Sequence, residues 1–192
     1  DAAGDLLEAG RIKLFTCDSV AGRAWTSREG SPLHRAWLQN RFDDFVVHEL
    51  VPAIRQDCGD QEIEILAAGA SIGAFNALAA ICRHPELFSE AICMSGTYEL
   101  SKFIDGDMDE AWYFASPLHF IPNLPEDHPS LVKLRERRIL ISHGAGRWED
   151  PEESWAVARV LGARGIPNHV DEWGEDWDHD WPTWRRMLPE YL

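Results

Sequence analysis

Short apolar runs alternate along this chain with segments of helical period. Five segments have the β-rich, near-continuous apolar composition of strands covered on both faces: Ile12 to Cys17, Glu62 to Ala67, Glu90 to Ser95, Arg138 to Ser142 and Asn168 to Trp173. Leu33 to Arg55 reads as one helix or two. Ile72 to Cys82 is almost wholly apolar, which predicts a buried helix. Pro151 to Arg164 reads as a helix stopped by Gly165 and Pro167, and Trp181 to Leu188 as a Trp-rich final helix. The alternation predicts an α/β fold: an open, mostly parallel sheet with helices on both faces. Without an internal repeat or a linker, residues 1–192 read as a single domain.

One segment breaks the rhythm. Glu99 to Leu131 holds four prolines, many aromatic residues and the acidic stretch Asp105 to Glu110. Long excursions in compact domains are often functional. Residues 99–131 are therefore a candidate substrate-shaping segment, with an ordinary surface excursion as the alternative.

Composition narrows the partners. Hydrophobic residues make up 45% of the chain and charged ones 27%, the balance of a globular domain. Thirty-three acidic against eighteen basic residues give a net charge of -15. Nucleic-acid binding needs a basic footprint, and the one dense basic run, Lys133 to Arg138, reads as a solvated helix end. The acidity also opposes anionic membranes, and no apolar run approaches the length of a bilayer span. Neither a nucleic-acid nor a membrane partner is expected. Cys17, Cys58, Cys82 and Cys93 form no CxxC pair, and three of them lie in apolar runs where a reduced cysteine acts as a small hydrophobe. With no secretory signal pattern at the start, the expectation is a cytoplasmic protein.

The candidate chemistry starts at Gly69-Ala70-Ser71-Ile72-Gly73, a G-x-S-x-G pattern between a predicted strand and a predicted buried helix. That context lifts a serine above a sheet edge as a nucleophile, with flanking glycines making room for the tight turn. The Ile72 amide, at the start of the helix, is a candidate oxyanion donor. The alternative is a glycine turn in which Ser71 merely caps the helix.

A nucleophilic serine needs a base held by a carboxylate, and in this fold the chain order is serine, acid, histidine. His179 is the only histidine between the fifth strand and the final helix, so it is the candidate base. Asp180, just before Trp181-Pro182, looks like a helix cap. After the fourth strand, Glu149 and Asp150 compete for the acid. Asp150, Pro151 and Glu153 fit a capping box with proline at the first helical position. Glu149 has no such structural task and is preferred; Asp150 is the alternative acid. His143 either lines the site or is structural. His84 suits a helix C-terminus, and His169 is read as structural. The acidic run Asp176, Asp178, His179, Asp180 lacks the spacing of a hard-cation loop, so no metal and no cofactor are expected. Trp148, Trp177 and the aromatics from Tyr98 to Phe120 are candidates for an apolar substrate lining or for core packing.

Segments beyond the Gly69 to Gly73 motif resemble a known family. Arg83-His84-Pro85-Glu86-Leu87-Phe88 followed by Met94-Ser95-Gly96-Thr97-Tyr98, then Gly165-Ile166-Pro167, then His179-Asp180-Trp181-Pro182-Thr183-Trp184-Arg185, resemble the esterase D-related family of putative esterases within the α/β-hydrolases. The resemblance covers nearly the whole chain. It implies a serine hydrolase acting on small carboxylic or thiol esters without a cofactor. Family members usually carry further strands and a Gly-rich loop before the segment resembling Gly10 to Phe15. That loop would supply a second oxyanion amide, so the chain reads as N-terminally truncated. Ile12 to Cys17 would then be an unprotected apolar edge, open to pairing in a homo-oligomer. Two other readings stay open: a non-catalytic binding or scaffold domain on the same fold, and an acyltransferase or peptidase using the same triad.

Overall fold

A computed structural model describes residues 2–27, 29–104 and 110–192. The acidic stretch beginning at Asp105 lies outside the described residues as far as Asp109. The helices are α1 (Gly4–Glu8), α2 (Val20–Ser27), α3 (Pro32–Phe45), α4 (Val51–Cys58), α5 (Ile72–Arg83), α6 (Glu110–Ala115), α7 (Pro117–Phe120), α8 (Pro129–Leu134), α9 (Pro151–Ala163) and α10 (Trp181–Tyr191). The strands are β1 (Leu66–Ala70), β2 (Glu90–Met94), β3 (Arg138–His143) and β4 (Asn168–Glu172).

The four strands form one parallel sheet in the order β1-β2-β3-β4. Leu66 pairs with Glu90, Glu90 with Arg138, and Ile139 with Asn168. Alternation along the strands divides the two faces. Ala91, Cys93, Ile139 and Ile141 join the main core with Phe75 and Leu78 of α5 and with Val157 and Leu161 of α9. Ile92, Met94 and Leu140 point the other way, where Met187 of α10 covers them. The α/β architecture with helices on both faces is therefore as the hydrophobic pattern predicts.

Two strand expectations need correction. Ile12 to Cys17 forms no strand, and it leaves Leu14 53% and Phe15 39% exposed. A strand exists by pairing, and among the described residues none lies beside this segment. The strand placed at Glu62 to Ala67 is instead Leu66–Ala70. The alternation Glu62-Ile63-Glu64-Ile65 imitates a half-buried strand, but Glu62 closes a turn by donating its N–H to Asp60 Oδ1 at 2.9 Å. Ladder pairing starts only where β2 starts.

The region read as one helix or two is a continuous helical rod. A π-helical turn, Val46–Leu50, joins α3 to α4, and Gly59 ends the rod at φ 68°. Pro52 has no N–H to donate, and the wide turn before it relieves the ladder it would break. The described part of the 99–131 excursion contributes to the core: Leu100, Trp112, Ala115 and Ile121 are buried. Cys82 and Cys93 are buried as expected, and burial pushes the Cys93 thiol up to about 12. Cys17 is exposed, contrary to its reading as a packed hydrophobe. No described helix is long and apolar enough to cross a membrane.

Candidate active site

Ser71 occupies the single residue between the end of β1 and the start of α5, with φ 56° and ψ -122°. Few non-glycine residues adopt that conformation, and strain of this kind persists only where the surroundings enforce it. Here the Ser71 N–H donates to the Met94 carbonyl at 2.9 Å, and the Ser71 carbonyl accepts from Ala74 at 3.0 Å and Thr97 at 3.3 Å. Gly69 is required sterically: a Cβ there would overlap the Gly73 carbonyl. Gly73 is not, since a Cβ there meets nothing within 4 Å, so the tight approach demands only one of the two glycines. The Ser71 side chain makes no helix cap. Its Oγ instead lies 2.9 Å from His179 Nε2. The Ile72 amide, at the first position of α5, has no carbonyl one turn back within the helix to receive it.

His179 and Glu149 come from the loops that follow β4 and β3, at the same carboxyl edge of the sheet. The loops are clipped together. Ala145 donates to the Gly174 carbonyl at 2.8 Å, Gly146 to Trp177 at 3.0 Å, and His179 to Arg147 at 2.9 Å. Arg147 also grips the Asp178 carboxylate through its own amide (2.7 Å), Nε (3.0 Å) and Nη2 (2.9 Å). Those donors hold the Asp178 carboxyl below the usual carboxylate range. Gly144 and Gly146 permit the approach, because side chains there would overlap Trp177 and Asp178.

The clip leaves Glu149 Oε2 3.7 Å from His179 Nδ1, an ion-pair separation longer than a hydrogen bond. Glu149 is 1% exposed at its side chain, and its Oε1 accepts from Ser95 Oγ at 2.6 Å. Trp184 meets the His179 ring edge-on, with centroids 5.1 Å apart. The structure thus brings Ser71, His179, Glu149 and the start of α5 together.

Asp150 does not fill the role that set it aside in favour of Glu149. It stands at the N-cap of α9 but makes no side-chain cap, and the predicted capping box does not form. Glu153 turns elsewhere: its Oε2 accepts from the amides of Tyr98 and Glu99, both at 2.7 Å, and its Oε1 from Lys102 at 2.5 Å. Asp180 does cap α10, accepting from the Trp181 amide at 2.7 Å. His143 is 2% exposed, and among the described residues neither ring nitrogen has a hydrogen-bond partner. Burial lowers its pKa, against the opposing charges of Glu149, Glu172 and Asp171. His84 ends α5 and bonds Asp43 at 2.9 Å, while His169 is exposed on β4. Of the proposed lining, Tyr98 and Phe120 belong to the core, Trp177 packs on Trp173 at 4.9 Å, and Trp148 is 86% exposed. A cleft of ≈ 450 Å³ lies at the other end of the sheet, among Leu66, Glu90 and Arg138, the first residues of three strands.

Sequence reasoning missed Ser95, the Arg147–Asp178 clip and the Glu153 anchor. Ser95 had a usable signal, since it follows β2 and so stands at the edge where Ser71 follows β1. Nothing in the spacing of Arg147 and Asp178 announces their pairing.

A parallel sheet carrying a strand–serine–helix turn defines an α/β-hydrolase fold. The chain belongs to the family described as "Putative esterase", whose sequence model matches residues 16–192. Solved structures agree on the fold. An S-formylglutathione hydrolase from Agrobacterium tumefaciens superposes with TM-score 0.60 at 16% identity, covering 77% of this chain and 54% of its own. A ferulic acid esterase gives 0.58 at 20% identity, with 77% and 57% covered. An acylaminoacyl peptidase from Pyrococcus horikoshii gives 0.54 at 15% identity, with 76% and 25% covered. The chain therefore spans little more than half the length of the two esterases. No curated protein matches it.

Proposed function

We propose that this chain carries the catalytic residues of a serine esterase cleaving small carboxylic or thiol esters through an acyl-enzyme. The observation that carries this reading is the 2.9 Å contact of Ser71 Oγ with His179 Nε2 at a strained strand–helix turn. His179 takes the Ser71 proton as Oγ attacks the carbonyl carbon, and Glu149 orients and stabilises the resulting imidazolium. The Ile72 amide faces the charge developing on the carbonyl oxygen. His179 gives that proton to the leaving oxygen or sulfur as the carbonyl–heteroatom bond breaks, and the neutral alcohol or thiol departs. Water, deprotonated by His179, then releases the acid and restores Ser71. At 3.7 Å the Glu149–His179 link is looser than a working triad requires, and it tightens as the imidazolium forms. The family match to Putative esterase supports the ester class.

The test is hydrolysis of a chromogenic acetate ester, with fluorophosphonate labelling as a second readout. Ser71→Ala should lower hydrolysis by about 10⁴-fold or more and abolish labelling. Equal rates in the wild type and Ser71→Ala would remove the esterase reading.

A further inference from the structure

We propose that Ser95 is a positioning residue for the triad: its hydroxyl fixes the Glu149 carboxylate so that one oxygen is committed and the other faces His179. The inference rests on the serine-esterase reading above.

A glutamate carboxylate rotates in a broad, roughly two-fold well about its last torsion, so packing alone sets its plane poorly. Glu149 is also 1% exposed at its side chain, where a carboxylate without donors is costly. Among the described residues its one side-chain hydrogen bond is from Ser95 Oγ, at 2.6 Å to Oε1. That bond leaves Oε2 on the His179 side, at 3.7 Å from Nδ1.

Ser95 is itself held unusually firmly. Its φ is 47°, in the left-handed region that disfavours side chains. Its amide donates to Ser142 at 2.7 Å, extending the β2–β3 ladder past the end of β2. A side chain at Gly96 would overlap the Tyr98 ring. The amides of Tyr98 and Glu99, three and four residues beyond Ser95, bind Glu153 in the first turn of α9. Glu149 lies just before that same turn. Donor and acceptor are thus fixed to one helix terminus, and Thr97 between them also binds the Ser71 carbonyl at 3.3 Å.

The test compares Ser95→Ala with Ser95→Gly, each alone and in a Glu149→Ala background. Both substitutions remove the hydroxyl, but glycine also relaxes the positive φ. Positioning predicts that both lower kcat by about 10-fold with KM unchanged, although Ser95→Gly melts at the higher temperature. In the Glu149→Ala background, Ser95→Ala should cost less than about 2-fold further, because its target is gone. Wild-type kcat in both single variants, recovery of kcat in Ser95→Gly alone, or losses that multiply with Glu149→Ala would overturn the proposal. Fluorophosphonate labelling separates the levels. A labelled wild type with unaffected Ser95 variants sinks only the role of Ser95. An unlabelled wild type sinks the nucleophile reading, and this inference with it.

Discussion

Ser71 is held in a conformation that its neighbours must enforce, and Gly69 is the neighbour with no alternative. In Gly69→Ala the new methyl would collide with the Gly73 carbonyl, so the turn must open. We predict a loss of about 1–3 kcal/mol in urea unfolding, the usual cost of overpacking. Fluorophosphonate labelling should fall at least about 100-fold, since an ångström-scale displacement of the nucleophile has that effect. Gly73→Ala is the control: its methyl meets nothing, and replacing a helical glycine should raise stability by about 0.5–1 kcal/mol. His143 supplies a pH signature. Its folded pKa lies below the ordinary histidine value because burial disfavours the cation. Its contribution is therefore full above about pH 6.5 and is lost as the pH falls from there through the folded value. Melting temperature should drop over that range in the wild type, and less in His143→Leu; parallel curves would show that His143 is not responsible.

Secondary elements were legible where local pattern and tertiary need agree. The apolar run Ile72 to Cys82 predicts a buried helix because nearly every face of α5 is packed. The proline-led start of α9 is equally clear. Pattern failed where pairing decides, as at Ile12 to Cys17, which has strand composition but no strand beside it among the described residues. It also failed where side chains reach across elements: Glu153 has capping-box spacing, yet bonds Tyr98 and Glu99 instead. The serine and histidine of the candidate site were readable from chain order. The devices that bring the loops together were not, because the Arg147–Asp178 contact depends on strands β3 and β4 lying side by side. That clip can be tested as an element-level device. Exposed ion pairs contribute little to stability, so Asp178→Ala should leave the melting temperature nearly unchanged. It should still lower kcat by about 10-fold by loosening the loop that carries His179. The lowered Asp178 pKa adds a sign: the clip's contribution is full above the ordinary carboxylate value and is lost as the pH falls from there through the lower folded value. A large loss of stability without a loss of kcat would mean that the clip holds the fold rather than the site.

At the scale of the whole molecule, attraction and repulsion between copies oppose each other. One sheet edge is protected: β4 carries His169, Asp171 and Glu172. Among the described residues no strand covers the other: β1 reads Leu66-Ala67-Ala68-Gly69-Ala70, without a charge or a proline, and Leu66 is 40% exposed. Leu14 and Phe15 add exposed apolar surface. Such an edge templates pairing with another chain. Against it stands a net charge of -15, which makes copies repel. Salt weakens only the second influence, since the screening length falls from roughly 30 Å at 0.01 M to roughly 3 Å at 1 M. We therefore predict that light scattering finds monomer at about 0.01 M salt and larger species as salt rises to about 1 M. Leu14→Glu with Phe15→Glu should move that onset to higher salt, because it removes apolar surface and adds repulsion together. If added salt instead dissolves assemblies present at low ionic strength, ion pairs hold the copies together and the exposed apolar surface is not the cause.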